Sequence, residues 1–217
     1  MTVPASESTI PESFLEHRQA YPSAWVDRWT NNNPFIGLLF PLLRKSGVEL
    51  TDFSFNQDAT NVGETYLHIA VRKLNSAIRV GLESVTYLAG NPDWSMAPQL
   101  VELFDSVSAS IQKFVAETPS SQQLTLAFHV TSGAVDLHEK TSQLVNREAL
   151  GEAAFYGISL YHEHGSTVID KSLRYEGAAF IRLTRSFEGT LTFAEIAPQI
   201  YEDEVKTLNL LGVTGVV

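Results

Sequence analysis

Residues 64–90, ETYLHIAVRKLNSAIRVGLESVTYLAG, decide the fold. Leu67, Ile69 and Val71 recur at every second position, and so do Ile78, Val80 and Leu82, while Arg79 and Glu83 fall between them. A period of two specifies strands with one apolar face. Strands are therefore expected at Glu64–Lys73 and Ile78–Leu88, with Leu74-Asn75 short enough to reverse the chain between them. Asn91-Pro92-Asp93 then opens a helix. Leu100, Leu103, Phe104, Val107, Ile111, Phe114 and Val115 follow at the spacing of one helical face.

Outward from this stretch the pattern extends in both directions. Val48–Asn56 reads as the preceding strand, and Leu124, Leu126, Phe128 and Val130 mark a strand after the helix. A second copy of the block follows. Strands are expected at Phe155–Tyr161, Thr167–Tyr175 and Ala178–Phe187, separated by turns at Glu163–Ser166 and Glu176-Gly177. Thr192 then caps a helix whose buried stripe is Phe193, Ile196, Ile200, Val205 and Leu208. Two βββα pseudo-repeats, 47–131 and 153–211, predict an α+β fold: one large, mostly antiparallel sheet with helices packed on one face. A curved sheet enclosing a cavity against its long helix is the alternative. Residues 1–46 read as a helical and loop segment packing on a single domain of residues 47–217. Pro11–Trp29 is expected to be weakly helical, and Phe35–Leu43 a short buried helix kinked by Pro41. Ser132–Asn146 reads as a bridging helix with Ser132 as its N-cap.

Composition restricts function. The 217 residues carry 25 acidic and 15 basic side chains, a formal charge of −10. That charge disfavours phosphate backbones and anionic lipid as partners. There is no cysteine, which removes thiolate metal sites and cysteine nucleophiles and fits a reducing cytoplasm. No apolar run approaches the roughly 20 residues a membrane helix needs. Phosphate-binding glycine loops and dinucleotide fingerprints do not occur, so no cofactor is expected.

The segment from Gly81 through Tyr87, Pro92 and Trp94, with the long helix and the strand after it, resembles a family of sporadically distributed, uncharacterised bacterial proteins. Members of that family tend to carry an arginine-tyrosine pair where this chain has Ala127-Phe128-His129. The resemblance supports the fold and brings no activity with it.

Two histidine groups are the candidate sites. His162 and His164 are two apart on a strand, so they share a face, and Asp170 across the hairpin supplies a carboxylate for a metal. His68 and His129 lie on the polar sides of their strands. With Tyr66 and Thr125 they would line a polar ligand-binding cleft. Ser132, Asp136 and His138 contain the letters of a hydrolase triad without the strained serine elbow. Glu202-Asp203-Glu204 reads as a solvated acidic face. The charge-free tail Leu210–Val217 suggests pairing with another subunit. The leading expectation is a binding protein acting on a protein partner or on a second copy of itself as a homodimer. A small-molecule binder or enzyme using the histidines is the alternative.

Overall fold

The computed structural model describes residues 8–29, 34–56, 62–92, 97–132, 136–137, 139–140 and 157–213. Among these, nine strands form an antiparallel sheet, β1 Ser8–Ala20, β2 Phe53–Asn56, β3 Tyr66–Val71, β4 Ser76–Val80, β5 Ser84–Gly90, β6 Ser121–Ser132, β7 Ile158–His162, β8 Gly165–Lys171 and β9 Ala179–Glu188. The helices are α1 Pro34–Leu43, α2 Ala97–Val115 and α3 Phe193–Leu210. Hydrogen bonding orders the strands β2-β3-β4-β5-β1-β6-β9-β8-β7. The fold is α+β.

This order moves the start of each repeat. In both halves a strand is followed by an up-and-down meander and then a helix, and that first strand lies beside the last strand of its meander, β1 by β5 and β6 by β9. The strand after the first helix therefore opens the second repeat, and the N-terminal strand opens the first. The helices share Ala-Pro-Gln followed by an aliphatic residue, at 97–100 and again at 197–200.

Two compact units emerge, one from Leu15–Leu124 and Ser186–Ala197, the other from Met1–Phe14, Thr125–Arg185 and Pro198–Val217. In the first, Leu67, Ile69, Val71, Ile78, Val80, Val85 and Tyr87 are fully buried on one sheet face. Register places Ile69 opposite Ile78, and Ile78 opposite Tyr87. Helix α2 covers this face with Leu100, Leu103, Phe104, Val107 and Ile111, its Phe104 ring 4.8 Å from Tyr87. Phe35, Leu39 and Leu43 of α1 are buried despite Pro41, with Phe35 5.3 Å from Phe114.

Three expectations for this unit need correction. Pro11–Trp29 is not an α-helix: Val26–Arg28 make a single 3-10 turn, and residues 8–20 form β1. Its buried positions Leu15, His17 and Gln19 alternate with the outward Glu16 and Arg18, and the two polar side chains disguise the period. Ile78–Leu88 is not one strand but the hairpin β4–β5, closed by Gly81 N–H to the Ser84 carbonyl at 2.7 Å. Leu82 sits in that turn and continues the apolar alternation across it. Leu50–Asp52 is a 3-10 turn rather than strand, held where Asp52 accepts from the Glu49 amide at 2.9 Å and from Arg72 at 2.7 Å.

In the second unit Leu126, Phe128, Val130, Ile169, Ile181 and Leu183 form the buried sheet face, with Ile169 opposite Ile181. Helix α3 places Ile200, Glu204, Thr207 and Leu208 in its buried stripe, and Leu211 just after it is buried too. Arg185 of β9 holds Asp203 of α3 at 3.0 Å. Glu204 is thus buried rather than solvated, and Val205 is 39% exposed. Strand β8 ends at Lys171, which leaves Leu173 99% exposed instead of paired. Ser132 closes β6; the cap is Asp136, accepting from the Glu139 amide at 2.9 Å. His138 and residues 141–156 lie outside the described residues, as do Trp94 and the tail beyond Val213.

The start of α3 shows how the first unit joins helix to helix. Thr192 and Glu195 form a capping pair at 2.7 and 2.8 Å. The Asp105 carboxylate of α2 accepts from the free amides of Phe193 at 2.7 Å and Ala194 at 3.3 Å. Capping interactions of this kind contribute about 0.5–2 kcal/mol. Asp105→Ala should therefore lower the unfolding free energy by about 1–2 kcal/mol in urea titration, and Asp105→Asn by less, because the amide oxygen retains one acceptor.

Candidate functional site

Tyr66 and His68 project from β3 onto the polar face of the first unit. His68 is paired in register with Ser54 and Arg79, and the Arg79 guanidinium lies 5.2 Å over the Tyr66 ring. Partial burial, then the Arg79 charge, push the His68 pKa down. Thr125 and His129 belong to β6 and to the second unit, where Thr125 Oγ1 is 3.5 Å from Thr184 Oγ1. Three strands, β4, β5 and β1, stand between β3 and β6. Tyr66 and His68 thus belong to the first unit, and Thr125 and His129 to the second.

His129 is instead the centre of a cluster of its own. Ser172 Oγ accepts from the backbone amides of Arg174 at 3.1 Å and Tyr175 at 2.9 Å, and it lies 2.9 Å from His129 Nδ1. With both lone pairs of the hydroxyl occupied, its proton goes to Nδ1, and the ring carries its own hydrogen on Nε2. That nitrogen faces Glu12 Oε2 at 4.0 Å, beyond hydrogen-bond length. Glu12 is held by Arg174 at 2.6 Å, and the rings of Tyr175 and Phe180 each lie 5.1 Å from the imidazole. Burial is the main cause that lowers the His129 pKa; Glu12 opposes it and Arg174 adds to it. Serine, histidine and glutamate meet here, but Ser172 is buried and its hydroxyl is saturated by two amides, so it is a turn-former and not a nucleophile.

The proposed metal ligands also fall apart in space. His162 stands opposite Gly165, and its Nε2 is 3.1 Å from Thr167 Oγ1. His164 occupies the turn, 3.9 Å from its neighbour Glu163. Asp170 is five residues along β8 from Gly165, roughly 17 Å at about 3.3 Å per residue, and accepts from the Lys171 amide at 2.7 Å. No group of three metal-binding side chains occurs among the described residues.

The densest polar arrangement lies inside the first unit and escaped the sequence reading. Gln122 Oε1 accepts from His17 Nε2 at 2.7 Å and Gln19 Nε2 at 3.1 Å. Its amide nitrogen donates to the carbonyls of Glu188, Gly189 and Leu191 at 3.1, 3.1 and 2.6 Å. Gln19 Oε1 in turn accepts from Ser108 at 3.0 Å and Tyr87 at 3.4 Å. His17 is stacked 5.4 Å from Tyr87, and the tilted Phe193 ring lies 5.2 Å away. Burial depresses its pKa to about 4, and the bond to Gln122 offsets this only in part. The ring is therefore neutral. It is a fixed element of the core, with no route to a substrate.

At the free end of the sheet, β7 has the sequence Ile158-Ser159-Leu160-Tyr161-His162. Four of its five residues are exposed, Tyr161 by 84%. No described strand lies beyond it.

These observations define an α+β protein with two meander-helix repeats, in which β7 is the terminal strand among the described residues. No known protein family matches the chain, and no curated protein matches it. No helix among the described residues is long and apolar enough to cross a membrane.

Two buried groups make stability depend on pH in opposite senses. The folded pKa of His17, about 4, lies below its usual 6.5, so its contribution is complete above pH 6.5 and lost as pH falls towards 4. Burial raises Glu204 from 4.5 to about 7; its contribution is complete below pH 4.5 and lost as pH rises through 7. Each amounts to about 3 kcal/mol, and between pH 4.5 and 6.5 the two slopes cancel. The stability advantage of Glu204→Gln over wild type should grow by about 3 kcal/mol from pH 4.5 to 7.5 in denaturant titrations. Ser172→Ala, which orphans two amides, should cost about 1–3 kcal/mol.

Proposed function

We propose that this chain is a non-enzymatic, cytoplasmic interaction protein that associates with a second copy of itself through the edge of β7. The observation that carries the reading is that β7 is the last strand of the sheet among the described residues and has no guarding side chain of its own. Soluble proteins guard terminal strands with lysine, proline or a bulge, because unpaired backbone groups invite another strand. Strand β7 has no lysine, arginine or carboxylate, no proline, and regular pairing with β8 across its whole length; its one titratable base, His162, sits at its end.

Self-pairing also fits the sequence. An antiparallel twofold centred on Leu160 sets Leu160 against its own copy, Ser159 against Tyr161, and Glu163 against Gly157, so no like charges meet across the strand. For a chain of charge −10, an uncharged strand is where two copies approach at least electrostatic cost. The absence of cysteine is compatible with the cytoplasm.

Light scattering at tens of micromolar protein should give twice the chain mass, and Leu160→Lys should give the chain mass with an unchanged circular dichroism spectrum. A wild-type protein that stays monomeric at millimolar concentration, or a Leu160→Lys dimer as tight as wild type, would refute the reading.

A further inference from the structure

We propose that a cleft of about 490 Å³ in the first unit binds a small molecule through its phosphomonoester group. The cleft lies between the end of α1, the β3–β4 turn and the first turns of α2, and its polar lining is Lys45, Ser46, Lys73, Gln99, Glu102 and Ser106. Its volume falls within the range of small-ligand sites.

The charge of the lining runs against that of the chain. Two lysines face one glutamate, within a protein of formal charge −10. The adjacent Arg72 is committed to Asp52 at 2.7 Å, whereas neither Lys45 nor Lys73 enters an ion pair among the described residues. Lys73 is exposed, and its side chain lies against the Gly47 turn. Its stem crosses Gly47, which adopts φ +79, and a Cβ there would stand 2.6 Å from Lys73 Cε and 2.8 Å from Nζ. Glycine at 47 therefore both forms the left-handed turn and leaves the space this ammonium group occupies.

The lining chemistry selects the anion. Flat carboxylates are best matched by the planar fork of arginine, and the cleft has none; compact ammonium groups act as point charges suited to a tetrahedral dianion. Ser46, Ser106 and Gln99 add neutral donors for the remaining oxygens or for hydroxyls on the rest of the ligand.

Calorimetric titration of the full chain with glycerol 3-phosphate, inorganic phosphate and succinate at constant ionic strength tests this. Glycerol 3-phosphate should bind at least tenfold more tightly than succinate. Lys73→Gln and Lys45→Gln should each weaken it tenfold or more, while Lys113→Gln on the exposed side of α2 leaves it unchanged. Binding of inorganic phosphate as tight as that of the ester would assign the site to free phosphate rather than to a phosphorylated metabolite, and would overturn the proposal as stated. So would equal affinity for succinate, or an equal loss in Lys113→Gln. Lys73→Arg, which retains charge on a folded protein, separates lost charge from lost structure: it should keep most of the affinity, and affinity as low as that of Lys73→Gln counts against the assignment.

Discussion

The carboxamide of Gln122 is the constraint on which the first unit depends. From one buried position on β6 it accepts from two side chains of β1 and donates to three carbonyls in the passage from β9 to α3. Those carbonyls sit where the chain leaves β9 for α3, and leaving such a group unpaired costs about 1–3 kcal/mol. A slip of one residue in β1 would turn His17 and Gln19 outward and strand the Gln122 oxygen, so the network fixes register more strongly than apolar alternation alone. Gly189 belongs to the same device. A side chain there would overlap the Pro119 carbonyl, which limits this passage to glycine.

That network also explains what was legible in the sequence. Strand β3, the stripe on α2 and the apolar face of β6 are legible in the sequence because burial there is carried by Leu, Ile, Val and Phe, whereas Leu82 hides the turn between β4 and β5 by continuing their alternation. The N-terminal strand was missed because its inward positions include His17 and Gln19, and a hydropathy pattern treats both as surface. The signal was present in the outward charges Glu16 and Arg18, which alternate with them. The same blindness assigned Val205 to the buried stripe of α3 in place of Glu204. Leu173 failed in the opposite sense, as an apolar residue in a turn.

The candidate sites divide along similar lines. Spacing in sequence brought His162, His164 and Asp170 together on paper, but hairpin register separates them. His68 and His129 share a strand face type without sharing a neighbourhood, because strand order does not follow chain order. The groups that do converge on His129, namely Glu12, Ser172 and Arg174, come from segments distant in sequence, and no local motif announces them. The cleft lysines are likewise joined only by the meeting of two turns with a helix.

The central place of β1 has a consequence for how the chain folds. The hairpins joining β3 to β4 and β4 to β5 close over a few residues and belong to the microsecond regime. Strand β1 is synthesised before the other described strands, yet its neighbours β5 and β6 begin at Ser84 and Ser121, so its pairing must wait for long loops to close. Until then its Leu15, Tyr21 and polar core residues have no sheet to enter. The earliest segment to appear is among the last to be consolidated, and the meander is the template on which it settles.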